Sequence, residues 1–100
     1  MPGGKLPPNP GGGLAGTTWN GNETGLEGFD RLSFQFNANG QATMTDAAGV
    51  ERGTWSQAGN NITINFGGGG VVYTGTLQGN RIQGTARNAA NKQWNWSVTR

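Results

Sequence analysis

The chain has no cysteine and no histidine. Without cysteine, no disulfide can staple the fold and no thiolate can serve as nucleophile. Without histidine, the commonest general base and the commonest metal-ligating side chain are both missing. A zinc site would have to be built from carboxylates alone, which is unusual. Charge is also scarce, at 12% of residues for a net +2. The seven lysines and arginines stand singly, with no run and no stripe, which argues against nucleic-acid binding. No apolar run approaches the roughly 20 residues of a membrane-spanning helix, and no signal-peptide-like apolar segment occurs. No nucleophile, base and orienting group can be assembled, so the expectation is a non-enzyme with no metal and no cofactor.

Glycine supplies 20 of the 100 residues, with abundant Asn, Thr, Gln and Ser around four Trp and four Phe. The spaced aromatics argue for a packed core rather than a disordered chain. The composition resembles that of exported or cell-surface bacterial β proteins; native location stays open. All four prolines lie in residues 1–13, which read as a flexible Gly/Pro-rich leader or linker. Residues 14–100 read as one domain.

In that domain the apolar period is 2. Leu32, Phe34 and Phe36 alternate with Ser33 and Gln35; Ile62, Ile64 and Phe66 alternate with Thr63 and Asn65; Trp94, Trp96 and Val98 alternate with Asn95 and Ser97. Such alternation marks strands with one buried and one wet face. Asn39-Gly40, Gly59-Asn60 and Gly79-Asn80 are hairpin signals. The spacing predicts eight strands, over residues 16–21, 31–37, 41–46, 51–57, 61–66, 71–78, 81–87 and 92–100. The fold class is all-β: an eight-stranded antiparallel up-and-down barrel. Connections 38–40, 58–60 and 79–80 are short; 22–30, 47–50, 67–70 and 88–91 are longer. One end is then closed by hairpins and the other ringed by looser loops, with Leu26 and Phe29 in the longest loop placed to fold back as a lid.

Eight strands enclose packed side chains or one small ligand. Trp19, Leu32, Phe34, Phe36, Met44, Trp55, Ile62, Ile64, Phe66, Tyr73, Leu77, Ile82, Trp94, Trp96 and Val98 are the inward candidates. Gly75, Gly84 and Ala86 share that phase, either relieving crowding opposite tryptophan or leaving space.

Several short segments together resemble the calycin group of lipocalin-like barrels: Gly16-Thr17-Thr18-Trp19, Gly53-Thr54-Trp55, Tyr73-Thr74-Gly75-Thr76-Leu77, Ile82-Gln83-Gly84-Thr85, and the ending Trp94 to Arg100. The first motif has one residue more than the Gly-x-Trp of lipocalins, and the chain is shorter than a lipocalin. The resemblance implies that Arg100 caps Trp19 at the closed end through a cation–π contact.

Glu23, Glu27 and Asp30 read as a solvated loop, since no calcium-loop spacing surrounds them. Gly67 to Gly70 lack the Lys-Ser/Thr of a phosphate loop. Arg81, Arg87 and Lys92 read as a solubilising wall. Three functions stay open. The first is a binding module taking a small apolar or aromatic ligand at the open end, near Leu26, Phe29, Leu32, Phe66, Tyr73 and Trp94. The second is a protein-interaction or enzyme-inhibitor domain. The third is a structural or carbohydrate-contacting module of a surface protein.

Overall fold

A computed structural model of the chain describes residues 14–25, 28–46, 49–68 and 70–100, with the side chains of residues 25 and 28–30 left aside. Eight strands follow in chain order: β1 (Thr17–Gly25), β2 (Gly28–Phe36), β3 (Gln41–Asp46), β4 (Gly49–Ala58), β5 (Asn61–Phe66), β6 (Val71–Gln78), β7 (Arg81–Asn88) and β8 (Gln93–Thr99). Each pairs antiparallel with the next, and β1 pairs with β8 from Asn20↔Thr99 to Thr24↔Asn95. The sheet is thus a closed barrel without a free edge.

The period-2 pattern selects the faces. Trp19 (β1), Phe34 (β2), Met44 (β3), Ile64 (β5), Tyr73 (β6), Ile82 (β7) and Trp96 (β8) are all buried, while their chain neighbours point to solvent or are half-buried. Of the inward candidates, only Trp55 and Trp94 are not fully buried; both pack against the cluster. Leu14 and Ala42 join the core as well. Phe34 and Tyr73 are the hubs: their rings meet edge-on at 5.1 Å, and each also meets Trp96 edge-on, at 5.3 and 5.6 Å. Each large side chain removed from water contributes roughly 1.5–3 kcal/mol.

The small inward residues relieve crowding. A Cβ on Gly75 would stand 2.7 Å from Cζ2 of Trp96, so the indole lies where that side chain would be. A Cβ on Gly84 would stand 1.9 Å from the Thr74 carbonyl oxygen, so only glycine lets β6 and β7 approach here.

The expected boundaries hold to within one or two residues except at the first two strands. β1 runs on to Gly25 and β2 begins at Gly28, paired as Gly25↔Gly28. Pairing therefore runs through most of the expected 22–30 loop, and its remaining residues, 26–27, with the expected lid residue Leu26, lie outside the described residues. The reason is alternation: Trp19, Gly21 and Glu23 face inward while Asn22 and Thr24 face out, so the run of polar residues continues the ladder. The contrast in connection length shrinks accordingly. What distinguishes the two ends is what plugs them.

Candidate functional site

At the end where residues 37–40, 59–60 and 79–80 turn, the chain seals itself. Leu14 is buried, its carbonyl accepting from the Thr17 N–H at 3.0 Å, and the Gly16 N–H donates to the Phe36 carbonyl at 2.6 Å. The Trp19 indole N–H donates to the Thr17 hydroxyl at 2.9 Å, and the Arg100 guanidinium carbon stands 5.9 Å from the Trp19 ring centroid. Trp55 closes the neighbouring side, its indole N–H donating to the Asn37 carbonyl at 2.9 Å.

The opposite end carries polar chemistry. Glu23, two residues before the end of β1, is only 6% exposed. The Tyr73 hydroxyl donates to its Oε1 at 2.6 Å, and the Trp94 indole N–H donates to the same oxygen at 2.9 Å. Tyr73 starts near the beginning of β6 and Trp94 near that of β8, so three strands deliver one constellation. The Tyr73 and Trp94 rings meet edge-on at 6.0 Å. Burial, then the bond to Glu23 and the Glu23 charge, push the Tyr73 phenol far above its ordinary range. Tyr73 is therefore a permanent donor. Two donors on one oxygen make Oε1 a double acceptor.

This end also gathers the acids. Glu23, Asp30, Asp46 and Glu51 all fall within the last or first three residues of their strands here. Asp46 pairs with buried Leu32 and so shares the inward phase of β3, and its charge acts on Tyr73. Arg31, Arg52 and Arg87 are exposed on the outward phase. Among the described residues no group of three acids assembles that could hold a metal ion.

Of the six residues expected near a ligand, Leu32, Phe66 and Tyr73 lie in the core, and Trp94 is half-buried at this end. Leu26 lies outside the described residues, as does the side chain of Phe29. The expected Trp19–Arg100 pair is in contact. Sequence reasoning missed Glu23, taken with Glu27 and Asp30 as solvated loop; Glu23 is instead a buried strand residue. The signal was its phase, since Trp19, Gly21 and Glu23 alternate in one face. Gly21 and Gly25 around it hid that signal by suggesting a loop.

The surface grooves lie on the outer wall. One, of about 610 Å³, runs over β1, β8 and β7 and is lined by outward Asn20, Asn22, Gln83, Thr85, Asn95 and Ser97, among others.

A family model described as a lipocalin-like domain matches residues 14–98. No curated protein and no solved structure matches the chain.

Proposed function

The chain belongs to the lipocalin-like domain family, and on that footing we propose that it is a non-enzymatic binding module for a small apolar or aromatic molecule. The fold is generally a non-enzymatic one that takes small hydrophobic ligands. The ligand lies at the Glu23–Tyr73–Trp94 end, across the mouth of the barrel. The observation that supports this is Trp94: like Trp55 at the opposite end it is half-buried against the aromatic cluster, but it alone of the two bonds a buried carboxylate. Phe34, Phe66, Tyr73 and Trp96 fill the barrel beneath it, so Trp94 supplies the apolar wall that a ligand would meet first. Tyr73 and Glu23 fix the orientation of that wall.

The test is a tryptophan-fluorescence titration against short-chain fatty acyl and aromatic compounds, with Trp94→Phe beside the wild type. Saturable quenching or a spectral shift is expected in the wild type and is reduced in the variant. A flat response to every compound would sink the reading.

A carbohydrate-contacting role has one observation in its favour, the outer groove lined by amides and hydroxyls. Neutral oligosaccharides belong in the same titration, with Gln83→Ala and Asn22→Ala as the variants that would weaken such binding.

A further inference from the structure

Glu23 presents a charge problem. It is a nearly completely buried side chain, and its partners, the Tyr73 hydroxyl and the Trp94 indole, are both neutral. Buried carboxylates are ordinarily matched by a cation, because desolvating the charge costs several kcal/mol per ion. Among the described residues, no arginine or lysine is ion-paired with Glu23. Arg31, the cross-strand neighbour of Asn22, has the outward phase of β2. Arg87, opposite Val72 and Gln93, has the outward phase of β7. Arg81 and Arg100 belong to the far end of the barrel.

Asp46, in the inward phase of β3, acts electrostatically on the same Tyr73 that holds Glu23. The two neutral donors also take one oxygen only. Both bond Oε1, and Oε2 receives neither of them. Next to it stands the half-buried Trp94 indole, its N–H committed to Oε1 and its ring edge-on to Tyr73.

We infer that Glu23 anchors a positively charged group: the ligand is a small organic ammonium with an apolar or aromatic body, its charge on the Glu23 carboxylate and its body on Trp94. A divalent metal ion fits less well. Such ions take several oxygens at once, whereas here two of the groups around the carboxylate are N–H and O–H donors. An ammonium satisfies both features together, donating to a carboxylate oxygen and lying against an aromatic face. The inference rests on the reading of this end as the binding end, and it names the ligand class.

The experiment compares three probes with one body and three charges: 2-phenylethylammonium, 2-phenylethanol and 3-phenylpropionate, titrated into the full chain and followed by tryptophan fluorescence and calorimetry. The ammonium is expected to bind at least about tenfold more tightly than the alcohol, with the carboxylate weakest. In Glu23→Gln, which keeps the shape and one acceptor, the preference for the ammonium should shrink to about twofold. Far-UV circular dichroism checks that this variant is folded. Should it not fold, the wild-type ratio decides alone, together with its expected fall at high salt. If alcohol and ammonium bind equally to the wild type, the charge inference is overturned while the binding end stands. If none of the three binds, both fall.

Discussion

The two ends of this barrel are built from the same strands in different chemistry. On β1, Trp19 and Glu23 face the same interior four residues apart, about 13 Å along the strand. At the Trp19 end the contacts are apolar packing, backbone hydrogen bonds, two indole N–H bonds to neutral oxygens and one guanidinium over a ring. At the Glu23 end they are a carboxylate, a phenol and an indole N–H, all nearly or partly withdrawn from water. The first kind of contact stabilises with little dependence on pH. The second makes each member costly to remove, because its partners are left as unpaired buried groups. The comparison places stability at one end and chemistry at the other, and the variants that strain it most are those at the most buried positions.

Trp19→Ala should have the largest effect. It deletes a fully buried indole and the platform under Arg100, at an expected cost of about 3–5 kcal/mol. Urea denaturation measures it. A loss below about 1 kcal/mol would show that the sealed end does not carry the stability assigned to it.

Tyr73→Phe comes next. It removes one hydroxyl and leaves the ring cluster in place, so the loss should be about 1.5–3 kcal/mol, the range for a bond to a charged acceptor. The same residue imposes a pH dependence. Tyr73 is the chain's one tyrosine, and its phenol is raised in the fold, chiefly by burial. The unfolded chain ionises it near the ordinary value of about 10, while the folded chain holds the proton. Its contribution is therefore fully present below about pH 10. Above that it falls by about 1.4 kcal/mol per pH unit until the raised folded value is reached. The difference in stability between wild type and Tyr73→Phe, followed from pH 8 to 11.5, isolates this slope from the other titrating groups. Tyrosinate absorbance should appear only as the protein unfolds. Tyrosinate formed in the folded state near pH 10 would mean that the phenol is neither buried nor held by Glu23.

The sequence made the barrel legible because the physics of the barrel is periodic. Leu32-x-Phe34-x-Phe36 and Ile62-x-Ile64-x-Phe66 state a buried face in six residues or fewer, and Asn39-Gly40 or Gly79-Asn80 state a turn. The Arg100–Trp19 cap comes from the resemblance to lipocalin-like barrels, with which the strand phase of both residues agrees. Glu23 was not legible for a different reason. A carboxylate is almost never fully buried unless it is partnered, and its partners come from positions 73 and 94, 50 and 71 residues away along the chain. Nothing local to Asn22-Glu23-Thr24 announces them. At the closed end Trp19 bonds Thr17 on its own strand, Trp55 bonds Asn37, and Arg100 reaches Trp19 across the β1–β8 seam, whereas the constellation at the other end exists only once β1, β6 and β8 have been brought together by closure.

The smallest effect should come from Arg100. Its backbone N–H donates to the Asn80 carbonyl at 3.0 Å whatever the side chain, so Arg100→Ala removes the guanidinium and leaves the strand end tied. Arg100 is exposed, which puts the cation–π contact at the low end, about 0.5–1 kcal/mol. A value this small is best read by double-mutant cycles. With Trp19→Phe, Arg100→Ala should be coupled, because guanidinium and ring are in contact. With Tyr73→Phe it should be additive to within about 0.3–0.5 kcal/mol, because the two sites share no partner and lie at opposite ends of the barrel. Coupling between Arg100 and Tyr73 beyond that range would mean that the filled core transmits strain from one mouth to the other, and the two ends would then have to be treated as one cooperative unit.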